Sequence, residues 1–131
     1  MSEENVEVVR RFYEAWARKD PGPNELMDPA IEYVNPAGAI EPGVRRGRAA
    51  FSKAVKAVFD GWEIWQAEPE RLTAAADHVV VVLRYRARGR GSGVEIEGRE
   101  SALWTLRDGK VQRYAWFHEP TGALDAAGLS E

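Results

Sequence analysis

Residues 98–118 read GRESALWTLRDGKVQRYAWFH, two apolar runs on either side of Arg107-Asp108-Gly109. Asp-Gly between such runs is the strongest short-range signal for a β-hairpin. It permits two registers. A two-residue turn at Asp108-Gly109 sets Trp104 opposite Arg113. A three-residue loop closed by a left-handed Gly109 sets Leu106 opposite Lys110 and Ala102 opposite Tyr114. A one-residue slip carries every side chain of a strand to the other face, so the apolar pattern selects the second. Ala102, Trp104 and Leu106 then share a face with Tyr114 and Trp116, while Arg113 joins Thr105 and Arg107 on the other. This register places Glu100 opposite Trp116 and diagonal to His118, roughly 7–8 Å away. One face of the hairpin is therefore aromatic, with two titratable groups at its far end.

Working outward, the chain of 131 residues is expected to form one domain, residues 1–131, with a core of its own. The net charge of −3 gives no field that favours nucleic acid or an acidic membrane. There is no cysteine, hence no disulfide, thiol nucleophile or thiolate metal site. With only His78 and His118 as histidines, a dedicated zinc site is not expected, and no metal or cofactor is assigned. The opening MSEENVEVV has neither a basic start nor a continuous apolar stretch, so it reads as neither a signal peptide nor a membrane span. A cytoplasmic protein is expected. Five tryptophans are the unusual feature.

Ser2 to Lys19 reads as an amphipathic helix, with Ser2 as N-cap and Val6, Val9, Tyr13 and Trp16 at helical spacing. Asp20-Pro21-Gly22-Pro23 stops it, and Asn24 to Met27 allows a short helical turn. Ala30 to Asn35 reads as a strand with Ile31, Tyr33 and Asn35 on one face. Pro36 to Gly47 reads as a loop, and Arg48 to Asp60 as a second helix. Trp62 to Thr73 is strand-like but broken by Pro69, which implies an edge or a bulge. His78 to Arg88 puts Leu83, Tyr85 and Ala87 on one face and Arg84, Arg86 and Arg88 on the other. Gly89 to Gly93 is a connector, and Pro120 to Gly128 a short closing helix. This order predicts an α+β domain with helices on one face of a curved, mainly antiparallel sheet, an arrangement that leaves room for a pocket.

The chain resembles the SnoaL-like branch of the nuclear transport factor 2-like superfamily. The residues that carry the resemblance are ENVEVVRRFYEAW in the first helix, MDPAIEYVNPAG at the first strand, ALWTLRDGKV in the hairpin and GALDAAGLSE at the end. The resemblance implies a cone-shaped barrel of curved sheet wrapped around the N-terminal helix, often a homodimer, with a pocket between sheet and helices. It does not imply one function. Relatives include polyketide cyclases, ketosteroid isomerases, dehydratases, epoxide hydrolases and non-catalytic modules. The steroid isomerases keep a carboxylate base where this chain has Asn35, a tyrosine donor where it has Phe12, and a protonated aspartate where it has Ala102. An amide cannot take the α-proton, and phenylalanine and alanine donate nothing, so that machinery is absent. The polyketide cyclases use an aspartate late in the fold, where this chain carries His118 and Glu119.

The candidate catalytic pair is Glu100 and His118, with Glu100 orienting or polarising His118 as general acid/base; the alternative places both, solvated, at a pocket rim. Trp16, Tyr33, Tyr85, Trp104, Tyr114 and Trp116 are the candidate ligand-binding wall, and a core filled by these rings is the alternative. Asn35 is either a ligand contact or a turn residue before Pro36. The arginines at 84, 86, 88 and 90 read as a solvated strand face. Val80, Val82, Leu103, Ala115 and Phe117 on the outer sheet face suggest a partner surface and a homodimer. The functional expectation is a pocket protein for a largely apolar or aromatic small molecule, with cofactor-free acid/base chemistry of isomerase, cyclase or hydrolase type. The alternative is a non-catalytic dimerising module with a filled cone.

Overall fold

The computed structural model describes residues 2–128. Helix α1 (Ser2–Ala17) begins at the residue expected to cap it, whose side chain lies outside what is described. It ends two residues earlier than expected, in a Schellman arrangement: Asp20 N–H donates to the Ala15 carbonyl and Lys19 N–H to that of Trp16, with Lys19 left-handed at φ 65°. Val9, Phe12 and Tyr13 form its buried stripe. A 3-10 turn (Asn24–Leu26) leads into β1 (Met27–Asn35), longer than expected at its start. Helix α2 (Arg48–Gly61) buries Phe51, Val55 and Phe59. The loop expected between these elements contains a strand, β2 (Gly43–Arg46), paired antiparallel with β1. Four residues in a Gly- and Pro-rich run carry no periodicity of their own, and their pairing is dictated by β1.

Four long strands follow: β3 (Trp62–Ala75), β4 (His78–Gly89), β5 (Glu95–Arg107) and β6 (Lys110–Phe117). The sheet order is β2-β1-β6-β5-β4-β3. All neighbours are antiparallel except β1 and β6, which run parallel. β3 is an edge strand whose register shifts between Pro69 and Arg71, as the proline requires. The curved sheet is not closed into a barrel: β2 and β3 remain its two edges.

The hairpin register differs from the expected one. Asp108 and Gly109 both have positive φ, 52° and 77°, and Arg107 pairs with Lys110, so the turn is the two-residue type I′ form. Leu106 faces Val111, not Lys110. The register then shifts, so that Thr105 faces Arg113, Trp104 faces Tyr114 and Ala102 faces Trp116. The extra residue, Gln112, supplies the slip that the turn does not. The expected faces therefore result from a different register, but Glu100 is not opposite Trp116: the ladder ends at Ser101 and Phe117.

Helices α1 and α2 pack on the inner face. Helix α3 (Gly122–Ala126) does not join them; it covers the outer face, correcting the expectation of helices on one side. Ser101, fully buried, anchors it by donating to the Glu119 carbonyl at 2.7 Å and accepting from Ala123 N–H at 2.9 Å. Val80 is buried beneath α3, with Leu103 and Phe117 packed alongside. Much of the outer apolar patch is thus covered by the chain itself. The rest of that face is ionic: Arg84 and Arg99 bridge to Glu70, Arg86 and Arg88 to Glu95. Leu129 to Glu131, the end of the C-terminal stretch cited above, lie outside the described residues. No described helix is long and apolar enough to cross a membrane.

Candidate functional site

Strand parity places the site. On β5, Glu95 and Glu97 alternate outward while Ile96, Gly98, Glu100, Ala102 and Trp104 alternate inward, and β4 matches them, with Ala87 paired to Ile96, Tyr85 to Gly98 and Leu83 to Glu100. Between this face and α1 and α2 lies a cavity of about 290 Å³. Trp16 and Tyr13 reach it from α1, Tyr33 and Asn35 from β1, Val58 and Phe59 from α2. Trp62, Trp65 and Ala67 of β3, Leu83 and Tyr85 of β4, and Ile96 and Glu100 of β5 form one wall; Tyr114, Trp116 and His118 form another. A second hollow of about 310 Å³ shares Tyr13, Trp16, Phe59, Trp65 and Ala67 with it.

Of the residues singled out from the sequence, Trp16, Tyr33, Asn35, Tyr85, Glu100, Tyr114, Trp116 and His118 come together around this cavity. Trp104 does not line it. That ring is fully enclosed, its Nε1 donating to the Tyr13 hydroxyl at 3.0 Å, with Phe12 and Tyr114 packed against it at tilted angles, centroids 5.2 and 4.7 Å away. Sequence reading missed Tyr13, Val58, Phe59, Trp62, Trp65, Ala67, Leu83 and Ile96 as lining residues. For Trp65 and Ala67 a signal existed, the alternation along β3, hidden by the attention Pro69 draws to that segment.

The aromatic walls are held in place by hydrogen bonds. Trp16 Nε1 donates to the Pro21 carbonyl at 2.7 Å. Trp116 Nε1 donates to Asn35 Oδ1 at 2.6 Å, and Asn35 Nδ2 donates to the Glu41 carbonyl at 2.9 Å. Asn35 therefore positions Trp116 and ties the 36–42 loop to β1, and it also lines the cavity. Trp65 stacks on Tyr85, centroids 5.6 Å apart and planes 16° apart. The Tyr85 hydroxyl lies over Gly98, where a Cβ would meet it at 2.8 Å, so that position needs glycine for the ring to lie flat.

Glu100 is 8% exposed. Its carboxyl has no hydrogen-bond or ion-pair partner among the described residues, and burial pushes its pKa up to about 7. It is not joined to His118 by a hydrogen bond or ion pair. His118 instead sits edge-on to Trp116 with centroids 4.9 Å apart, its Nε2 beside Gly38. Around Glu100 stand three buried tyrosines, Tyr13, Tyr33 and Tyr114, all pushed well above the usual phenol range by burial, with the Glu100 charge adding to the shift. Neither Tyr33 nor Tyr114 spends its hydroxyl on a hydrogen bond among the described residues. No fully enclosed polar side-chain atom lacks a partner there, so both hydroxyls open onto the cavity. The arrangement offers a proton-carrying carboxyl and two neutral phenolic donors inside an apolar, aromatic space. Among the described residues no group of three or more potential ligands could hold a metal ion.

A SnoaL-like domain profile matches residues 9–114, and the chain belongs to that family. Similar solved structures include a candidate SnoaL-like polyketide cyclase from Jannaschia sp. CCS1, 23% identical over 88% of this chain and 85% of that one, with a TM-score of 0.77. TerC, co-crystallised with polyporic acid, is 22% identical over 93% of this chain and 96% of its own, TM-score 0.78. A nuclear transport factor 2-like protein from Burkholderia thailandensis E264 is 26% identical over 94% and 96%, TM-score 0.75. No curated protein matches the chain by sequence.

Proposed function

We propose that this member of the SnoaL-like family binds a small, flat, largely apolar or aromatic molecule in the cavity, and that Glu100 exchanges a proton with it without a cofactor. The observation that carries the reading is the Glu100 carboxyl itself: buried, without a partner among the described residues, and poised near neutrality at an aromatic cavity. A group of that pKa can hold or give up its proton near pH 7, as general acid/base catalysis of isomerase, cyclase or hydrolase type requires. Tyr33 and Tyr114 would donate to a ligand oxygen, and His118 would act independently at the rim. The polyporic acid in TerC and the cyclase assignment of the Jannaschia protein agree with a flat ligand. The open cavity disfavours the filled cone.

The test is ligand binding followed by pH. A panel of small planar phenols, quinones and aryl ketones is expected to contain members that quench the cavity tryptophans and raise the melting midpoint, since ligands of the native state stabilise by mass action. Ala67→Trp, which fills the cavity, abolishes both signals. For a bound member, affinity is expected to change through about pH 7 in the wild type and not in Glu100→Gln. Failure of every panel member to bind below millimolar concentration defeats the reading. A cytoplasmic setting and a homodimer through the outer sheet face also belong to the proposal; a monomer by sedimentation at micromolar concentration refutes the dimer.

A further inference from the structure

The cavity's charge balance is one-sided. Its lining holds a carboxyl, Glu100, and no lysine or arginine. Arg46, Arg84, Arg86, Arg88, Arg99 and Arg113 lie on the outer face of the sheet, paired with Glu32, Glu63, Glu70 and Glu95, whereas Arg45 stands opposite Tyr33 on the inner face, outside the cavity lining. An ionised carboxylate in such a place is costly without a positive partner, and Glu100 has no ion-pair partner among the described residues. The walls have the complementary property. Stacked Trp65 and Tyr85, Trp62 6.0 Å from Trp65, and Trp116 present ring faces and edges around the same space, and ring faces attract cations.

Resting on the small-molecule reading above, we infer that the ligand carries a basic nitrogen and is held as an organic cation, its charge facing Glu100 and its substituents against the tryptophan wall. The step balances simply. An amine entering as the free base takes the proton of the Glu100 carboxyl: the O–H bond breaks, an N–H bond forms, and an ammonium–carboxylate pair remains with no net change in charge. A quaternary ammonium needs no transfer and drives the carboxyl proton out to solvent. Anionic ligands meet repulsion from the ionised carboxylate.

The groups facing Glu100 are Tyr13 from α1, Tyr33 from β1, Tyr114 from β6 and His118 beyond it; α2 and β3 contribute only uncharged side chains to the cavity. Arg45 on β2 acts on Tyr33 and does not line the cavity. The tyrosines stay protonated throughout the range tested below.

Phenyltrimethylammonium and tert-butylbenzene have the same shape and differ by one charge. Calorimetry and tryptophan fluorescence at pH 8 are expected to show the cation bound at least about tenfold more tightly. At pH 7 its binding releases about half a proton, read from calorimetry in buffers of different ionisation heat, because the cation holds the carboxyl ionised. Glu100→Gln loses the release and most of the preference, keeping only what the ring faces supply, while His118→Asn keeps both. Equal binding of the two probes, or cation binding without proton release in the wild type, overturns the inference and leaves the apolar pocket standing. If neither probe binds while a panel phenol or quinone does, the inference is overturned and the pocket stands; if no panel member binds either, both fall.

Discussion

Glu95 and Glu100 stand on the same strand, one on each face, and the sheet treats them in opposite ways. Glu95 is exposed and accepts from Arg88 at 2.8 Å and Arg86 at 3.1 Å; those guanidiniums hold its carboxyl below the usual range. Glu100 is buried among aromatic rings without a cation, and its pKa is pushed up to about 7. The residue type is the same, so strand parity decides which glutamate is part of a solvated ion ladder and which becomes a proton-handling group. The outer face can lose a member with little effect because each charge stays hydrated. The inner face is close-packed, and each member constrains the next.

The sharpest way to break this contrast is to truncate one side chain on each face. Trp104→Ala removes a fully buried ring and the donor to Tyr13, and is expected to cost about 3–5 kcal/mol in urea unfolding. Arg86→Ala on the outer face is expected to leave the midpoint within error. Next comes pH. The folded pKa of Glu100 lies above its ordinary 4.5, so the native state binds the extra proton. Its contribution is fully present below about pH 4.5 and is lost as pH rises through about 7. Relative to Glu100→Gln, the wild type is expected to lose about 3 kcal/mol between pH 4.5 and pH 8. Parallel stability curves for the two proteins would falsify the assignment of Glu100 as a buried, unpaired carboxyl.

The same contrast marks what the sequence could reveal. Parity along 98–118 was legible, and it placed Glu100, Ala102, Trp104, Tyr114 and Trp116 on one face. The register behind it was not: a two-residue turn plus the extra residue Gln112 gives the same faces as a three-residue loop, and a pattern cannot separate two routes to one parity. Strand β2 was hidden because its pairing is imposed by β1. Trp104 belonged to the right face and lies beneath the cavity instead of beside it, since a face does not say how far α1 presses down on it. The covering of the outer patch by α3 depends on Ser101, whose two hydrogen bonds to residues 119 and 123 have no local signature.

A milder change sharpens the inner side. Gly98→Ala places a methyl 2.8 Å from the Tyr85 hydroxyl, so Tyr85 must leave its stack on Trp65 or the strand must shift. The expected cost is about 1–2 kcal/mol, with a change in tryptophan emission. Unchanged emission in the Gly98→Ala protein would show that the wall does not depend on that stack.

The smallest effect is the most pointed, because its sign is opposite to that of Glu100. Glu95 has a folded pKa below its ordinary value, held there first by its hydrogen bonds to Arg88 and Arg86 and then by their charges. Its contribution is therefore present above the unfolded carboxylate value and is lost as pH falls below it through the lowered folded one. Being exposed, the pair is screened by water and ions, so the slope is shallow and disappears in strong salt. Glu95→Gln is thus expected to flatten only a slight acid-side loss at low ionic strength, and to be indistinguishable from wild type in about 0.5 M salt. Glu100→Gln should differ from wild type equally at both salt concentrations, because burial and not a neighbouring charge sets its shift. If salt instead abolished the Glu100 effect, the carboxyl would have to be reached by mobile ions, and the enclosed inner face would not be what separates the two glutamates.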